Sequence, residues 1–184
     1  YQILAVTFTN KAAKEMKERI SKRIGEETTK NIWGGTFHSI CSKILRYDIH
    51  LLGRNSNFVI YDSTDQGKII TECLKKLNLD TKSFPVNKIL SSISKAKSNT
   101  ITAKEYSEQN RSYGEQKIAD IYIMYDDELK KNNALDFDDM LFYVVKILRE
   151  NPSRLEYYQN KFRYILVDEY QDTNRVQYEL IKSI

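Results

Sequence analysis

Tyr164, Ile165, Leu166 and Val167 form an uninterrupted apolar and aromatic run, and Asp168 and Glu169 follow it without a spacer. A short run of this kind reads as a strand buried on both faces, which places it in a parallel sheet flanked by helices. In such sheets ligands sit outside the C-terminal strand ends. Adjacent carboxylates there point to different sides of the strand end. One can hold Mg²⁺ through water while the other positions an attacking water, the division of labour that phosphoryl transfer needs. An acidic pair closing a buried strand is also consistent with a solvated turn.

The rest of the chain can supply that sheet. Residues 3–8 read as a buried strand. Ala12, Ala13, Met16, Ile20 and Ile24 then recur at helical spacing behind Thr9 or Asn10 as N-cap. Residues 32–36 read as a second strand. Phe37, Ile40, Cys41, Ile44, Leu45, Leu51 and Leu52 follow on an amphipathic helix closed by Gly53. This βαβα order marks a parallel α/β sheet. From about Asn55 the pattern changes to helices with polar connections. Asp62 can cap one with Ile69, Ile70, Cys73, Leu74 and Leu77, and Pro85 precedes another with Ile89, Leu90, Ile93 and Ala96. A longer helix is expected from Tyr113 to Lys131, and residues 98–112 read as a polar, mobile connection. Asp136 can cap the helix bearing Phe137, Met140, Leu141, Val144, Val145 and Leu148, which Asn151 and Pro152 end.

Several residues at the strand ends have two uses each. Phe8 can be core, or it can stack a nucleic-acid base without reading its identity. Thr7, Thr9 and Asn10 can donate to phosphate or cap the following helix. Thr36, His38 and Ser39 lie at the end of the second strand, where side-chain donors and helix-start amides favour an anion, although a lone histidine is more often structural. The basic residues from Lys11 to Arg23 alternate with Glu15 and Glu18 and read as a solvated helix face. Of the thirteen tyrosines, Tyr122 and Tyr125 fit a helix stripe and Tyr157 and Tyr158 read as packing before the last strand. Cys41 and Cys73 read as reduced core thiols. The net charge of +4 suits a nucleic-acid partner without requiring one. No apolar run approaches the ~20 residues that span a bilayer, so no membrane contact is expected and a cytoplasmic protein is.

Four segments together resemble the UvrD/PcrA/Rep family of superfamily-1 DNA helicases, and most of all its PcrA branch. Residues 164–174 are similar to motif II, residues 3–13 to motif Ia, residues 35–39 to motif Ib, and residues 135–140 to the acidic segment before motif II, in the family's order. The resemblance implies an ATP-dependent helicase moving 3′ to 5′ on single-stranded DNA and opening single-strand/duplex junctions in repair or replication, with proteins of those processes as partners. It implies a partial RecA-like P-loop NTPase subdomain, 1A, from residues 1–54 and 136–184, with a helical subdomain, 1B, inserted at 55–135. Asp168 would help hold Mg²⁺, and Glu169 would polarise the water attacking ATP. Gln171 and Asp172 would couple nucleotide state to neighbouring motifs. Phe8 would join a base pocket, and Thr36 and His38 would touch the DNA backbone.

None of the six glycines begins a G-x-x-x-x-G-K-[ST] loop. The chain opens at Tyr1 inside a strand, so it is expected to be a piece of a longer protein, with ATP and Mg²⁺ bound only by the complete enzyme and no ATPase activity of its own. Sheet edges are expected to be exposed. Two other classes are a metal-dependent nuclease using Asp136, Asp138, Asp139, Asp168 and Glu169, and a non-catalytic DNA-binding or protein-docking module. Asp136 and Asp139 at a helix start are equally explained by capping and the helix dipole.

Overall fold

The computed structural model describes residues 2–110 and 112–184. The first strand, β1 (Ile3–Thr7), leads through an N-cap at Thr9 into α1 (Asn10–Ile24) and the short α2 (Glu26–Thr29). Strand β2 (Trp33–Thr36) runs directly into α3 (Phe37–Asp48), which tightens into a 3₁₀ turn over Ile49–Leu52. Gly53 ends that turn at φ +67°, a left-handed conformation that glycine adopts without penalty. After β3 (Val59–Ile60) come α4 (Ser63–Lys76), α5 (Val86–Ser98), α6 (Ala103–Gln109) and α7 (Tyr113–Lys131). The chain returns through β4 (Ala134–Leu135), α8 (Phe137–Glu150), α9 (Pro152–Lys161), β5 (Tyr164–Val167), a 3₁₀ turn at Tyr170–Asp172 and α10 (Arg175–Ser183).

Three strands form a parallel sheet in the order β2-β1-β5, with Ala5 paired to Gly34 on one side and to Leu166 on the other. Leu4 and Val6 enter an apolar core with Phe37 and Ile44 of α3, Val144 and Ile147 of α8, and Val176 and Leu180 of α10. A second apolar cluster lies among the intervening helices. It joins Ile70 and Leu74 of α4, Ile89 and Ile93 of α5, and Tyr122, Tyr125 and Leu129 of α7. Where the chain leaves for these helices and comes back, β3 and β4 pair in parallel, Val59 with Ala134 and Ile60 with Leu135.

Two expectations are corrected. The run at residues 164–167 is not buried on both faces: Ile165 and Val167 pack on the core, whereas Tyr164 and Leu166 are 66% and 59% exposed. β5 is an edge strand here, and α1 covers the same sheet face only over β1 and β2. Residues 98–112, expected as a mobile connection, contain α6. A capping box starts it: Glu105 N donates to Thr102 Oγ1 at 3.1 Å, and Thr102 N donates to Glu105 Oε2 at 2.8 Å. Ala103 is buried, and Tyr106 packs edge-on against Tyr122. Cys41 and Cys73 are buried free thiols, and burial pushes both above their ordinary range. Among the described residues, no helix is long and apolar enough to cross a membrane.

Candidate nucleic-acid interface

Parallel strands deliver their C-terminal ends to one edge, so Phe8, His38 and Asp168 all emerge on the same side of the sheet. Each exit is shaped by a cap. Thr9 Oγ1 accepts from Ala12 N at 3.1 Å and starts α1. Thr36 Oγ1 accepts from Ser39 N at 3.2 Å, while Ser39 Oγ donates back to Thr36 O at 2.8 Å. That return is so tight that a Cβ on Gly35 would lie 2.3 Å from Ser39 Oγ, which accounts for glycine at this position.

The structure brings six of the seven nucleic-acid candidates together. Phe8, Thr9, Asn10, Thr36, His38 and Ser39 line one cleft of about 510 Å³, joined by Ile60 and Phe137. Phe8 is half-buried and braced on Phe37, with ring centroids 5.4 Å apart. His38 packs against Phe137 at 5.2 Å, and burial holds its imidazole below the ordinary value, so it is neutral at pH 7 and can offer an N–H donor. Among the described residues, no lysine, arginine, aspartate or glutamate lines the cleft. Aromatic faces of this kind can stack bases of any identity.

Thr7 is the seventh, and its expected phosphate contact is not presented. It is fully buried, and its hydroxyl has no hydrogen-bond partner. Alternation along β1 turns Thr7 into the sheet, one residue before the chain emerges. Conversely, Phe137 and Ile60 were missed as site residues. Phe137 follows the apolar stripe of α8, but as the first helical residue it overhangs the end and remains 53% exposed.

The acidic residues occupy a neighbouring station on the same edge. Asp168 N donates to Val6 O at 3.0 Å, which extends the β5 ladder by one residue. Glu169 then adopts φ +51°, a left-handed backbone uncommon outside glycine and a store of strain. The turn that follows is held by Asp172 N donating to Glu169 O at 2.9 Å, and Asn174 caps α10 with Gln177. Asp168, Glu169, Gln171 and Asp172 are all exposed and lie outside the cleft. Because β1 is the middle strand, the Phe8 segment stands between these carboxylates and His38.

Exposed carboxylate oxygens at a strand end fit a Mg²⁺ that keeps several waters and shares phosphate oxygens. They do not make a protein cage, since among the described residues no cluster of three or more ligating side chains occurs. The nuclease grouping is not assembled either. Asp136 and Asp139 are 3% and 0% exposed, cap α8 reciprocally, and neutralise Lys97 at 2.8 and 2.6 Å. On α1, the pairs Lys14–Glu18 and Arg19–Glu15 are exposed, as a solvated face requires.

Comparison with known proteins matches residues 1–184 to a family described as the UvrD/REP helicase N-terminal domain. The chain is 48% identical over its whole length to the ATP-dependent DNA helicase PcrA of Bacillus subtilis (strain 168). Identity is 46%, again over the whole chain, to the proteins of that name from Staphylococcus aureus (strain Mu50) and Staphylococcus epidermidis. In each case the chain spans 25% of the relative's length.

Proposed function

The chain belongs to the UvrD/REP helicase N-terminal domain family, and from that premise we propose that it is the strand-gripping and water-orienting part of an ATP-dependent DNA helicase. The complete enzyme moves 3′ to 5′ along single-stranded DNA and opens duplex junctions in repair or replication in the cytoplasm. One observation carries this reading: an aromatic-walled cleft at the C-terminal ends of β1 and β2 and an exposed carboxylate pair at the C-terminal end of β5 lie on the same side of one sheet.

Phe8 and Phe137 present ring faces to bases. Thr9, Asn10, Thr36 and neutral His38 hydrogen-bond phosphate oxygens and fix the strand's register without reading sequence, while Ser39, whose proton goes to Thr36 O, holds the turn that presents them. Thr7 supports the segment from beneath. Asp168 would hold Mg²⁺, and the bound ion would supply charge neutralisation at the phosphoryl group being transferred. Glu169, aimed outward by its left-handed backbone, accepts a hydrogen bond from the attacking water. Gln171 and Asp172, on the turn between β5 and α10, relay displacement of Glu169 toward neighbouring segments. Residues 1–54 and 136–184 constitute the RecA-like part, and residues 55–135 the helical insertion that meets duplex. The existence of two separate apolar clusters supports that division. With no P-loop pattern in the chain, hydrolysis is an activity of the complete enzyme.

The test is ATP hydrolysis by the full-length protein with and without single-stranded DNA. Stimulation by DNA is expected, and Glu169→Gln should lower turnover by at least ~100-fold while ATP binding persists. Equal turnover in the mutant would remove Glu169 from the reaction. DNA binding by a parent that hydrolyses nothing would recast the chain as a binding module.

A further inference from the structure

Lys97, on α5, is 1% exposed, a condition that lysine tolerates only with partners. Its Nζ lies 2.6 Å from Asp139 Oδ1, 2.8 Å from Asp136 Oδ2 and 3.6 Å from Asp126 Oδ1. The Tyr125 hydroxyl donates to the same Asp136 Oδ2 at 2.9 Å. Through its other oxygen, Asp136 accepts from Asp139 N at 2.8 Å and so caps α8. The residue after that cap is Phe137, whose ring faces His38 in the cleft. An unbroken chain of close contacts therefore runs from the centre of the helical cluster to the wall of the strand site. Apolar packing fixes the buried face of α8, and the oxygens converging on one ammonium add a directional restraint at its first turn, because a buried charge displaced from its partners is strongly penalised.

We infer that Lys97 is a positioning residue for the strand cleft: by clamping Asp136 and Asp139, it fixes the first turn of α8 and with it the stance of Phe137 against His38. The consequence for DNA rests on the cleft reading proposed above. The stance of Phe137 itself can be measured without DNA.

The chain contains two histidines, His38 and His50, so their imidazole protons can be followed individually by NMR, with His50 as internal control. Burial lowers His38 in the native protein. Lys97→Met could unfold the chain by stranding carboxylates. The decisive variant therefore combines Lys97→Met with Asp136→Asn, which removes the ammonium and the carboxylate paired with it at 2.8 Å, retains an N-cap side chain, and leaves Asp139 to be kept neutral by its burial. With its fold verified by circular dichroism, this variant should titrate His38 measurably closer to the ordinary imidazole value, as Phe137 leaves the ring. Lys97→Arg should restore the native midpoint. In oligo-dT binding the double variant should lose roughly 5-fold in affinity, and should lose nothing further on a Phe137→Ala background. A folded double variant with an unchanged His38 midpoint, or a loss additive with Phe137→Ala, would reduce Lys97 to a merely structural role. If the native chain binds no oligonucleotide, the cleft reading fails, and the His38 titration still decides the role of Lys97.

Discussion

Gly35 stands where an added methyl carbon would meet Ser39 Oγ at 2.3 Å, and that hydroxyl is committed to Thr36 O. Gly35→Ala must turn the serine away, at about 1 kcal/mol for the lost hydrogen bond. Because Ser39→Ala removes the clashing atom, the two substitutions together should cost less than their sum in urea denaturation. Asp139 offers a different prediction. Burial, and then the neighbouring Asp136, push its carboxyl up to about 7 against the pull of Lys97. Burial acts most strongly on Asp136, to raise it, but the Lys97 charge together with the hydrogen bonds from Lys97, Asp139 N and Tyr125 holds that group below its ordinary value. A carboxyl raised in the folded state contributes stability that is full below its unfolded pKa of ~3.9 and is lost as pH rises through about 7. Asp139→Asn should therefore flatten the fall in unfolding midpoint between about pH 4 and 7. The difference from wild type isolates this group from His38, whose lowered value gives the opposite slope below ~6.5. At the cleft, Phe8→Ala should cost ~1–3 kcal/mol of oligo-dT affinity, measured by fluorescence anisotropy, with similar losses for different base compositions.

Among the elements, those visible in sequence are the ones that repeat an apolar stripe over three or more turns. α1, α3, α4, α5, α7 and α8 all qualify, and α7 begins and ends where its spacing places it. α6 has seven residues and sends only Ala103 and Tyr106 inward, too few to establish a period; Thr102 and Glu105 were its available sign. β3 and β4 have two residues each, and their pairing joins positions 59 and 134, so nothing local announces it. Lys97 was passed over because charge outweighed position, although it lies four residues after Ile93 on the buried stripe of α5. In the site, the caps at Thr9 and Thr36 were readable because capping is local chemistry. Phe137 was not, because its exposure depends on how α8 meets a strand connection far away in sequence. An apolar run likewise cannot distinguish a central strand from an edge strand, which is why the exposure of β5 was misread. That exposed face has its own expectation. Leu166→Lys should alter stability by less than ~0.5 kcal/mol and reduce self-association in analytical ultracentrifugation, since an unpaired apolar edge templates aggregation.

For the molecule as a whole, net charge and site charge diverge. The chain carries +4, yet among the described residues its cleft is lined by no lysine, arginine, aspartate or glutamate. Each phosphate neutralised on a single strand by lysine or arginine contributes about −0.7 to the slope of log affinity against log salt. Binding in this cleft should therefore give a slope shallower than about −1.5; a steeper one would place the contact on the basic surface of α1 instead. The same absence of ions bears on motion. A strand held by ring faces and neutral donors meets nearly equal grip at every nucleotide, and no ion pair has to be broken at each advance. On the proposed reading, such a wall would behave mechanically as a low-friction bearing: the energy profile along the strand would be smooth, one-nucleotide slips would be thermally accessible, and any direction of travel would have to be imposed from outside the track.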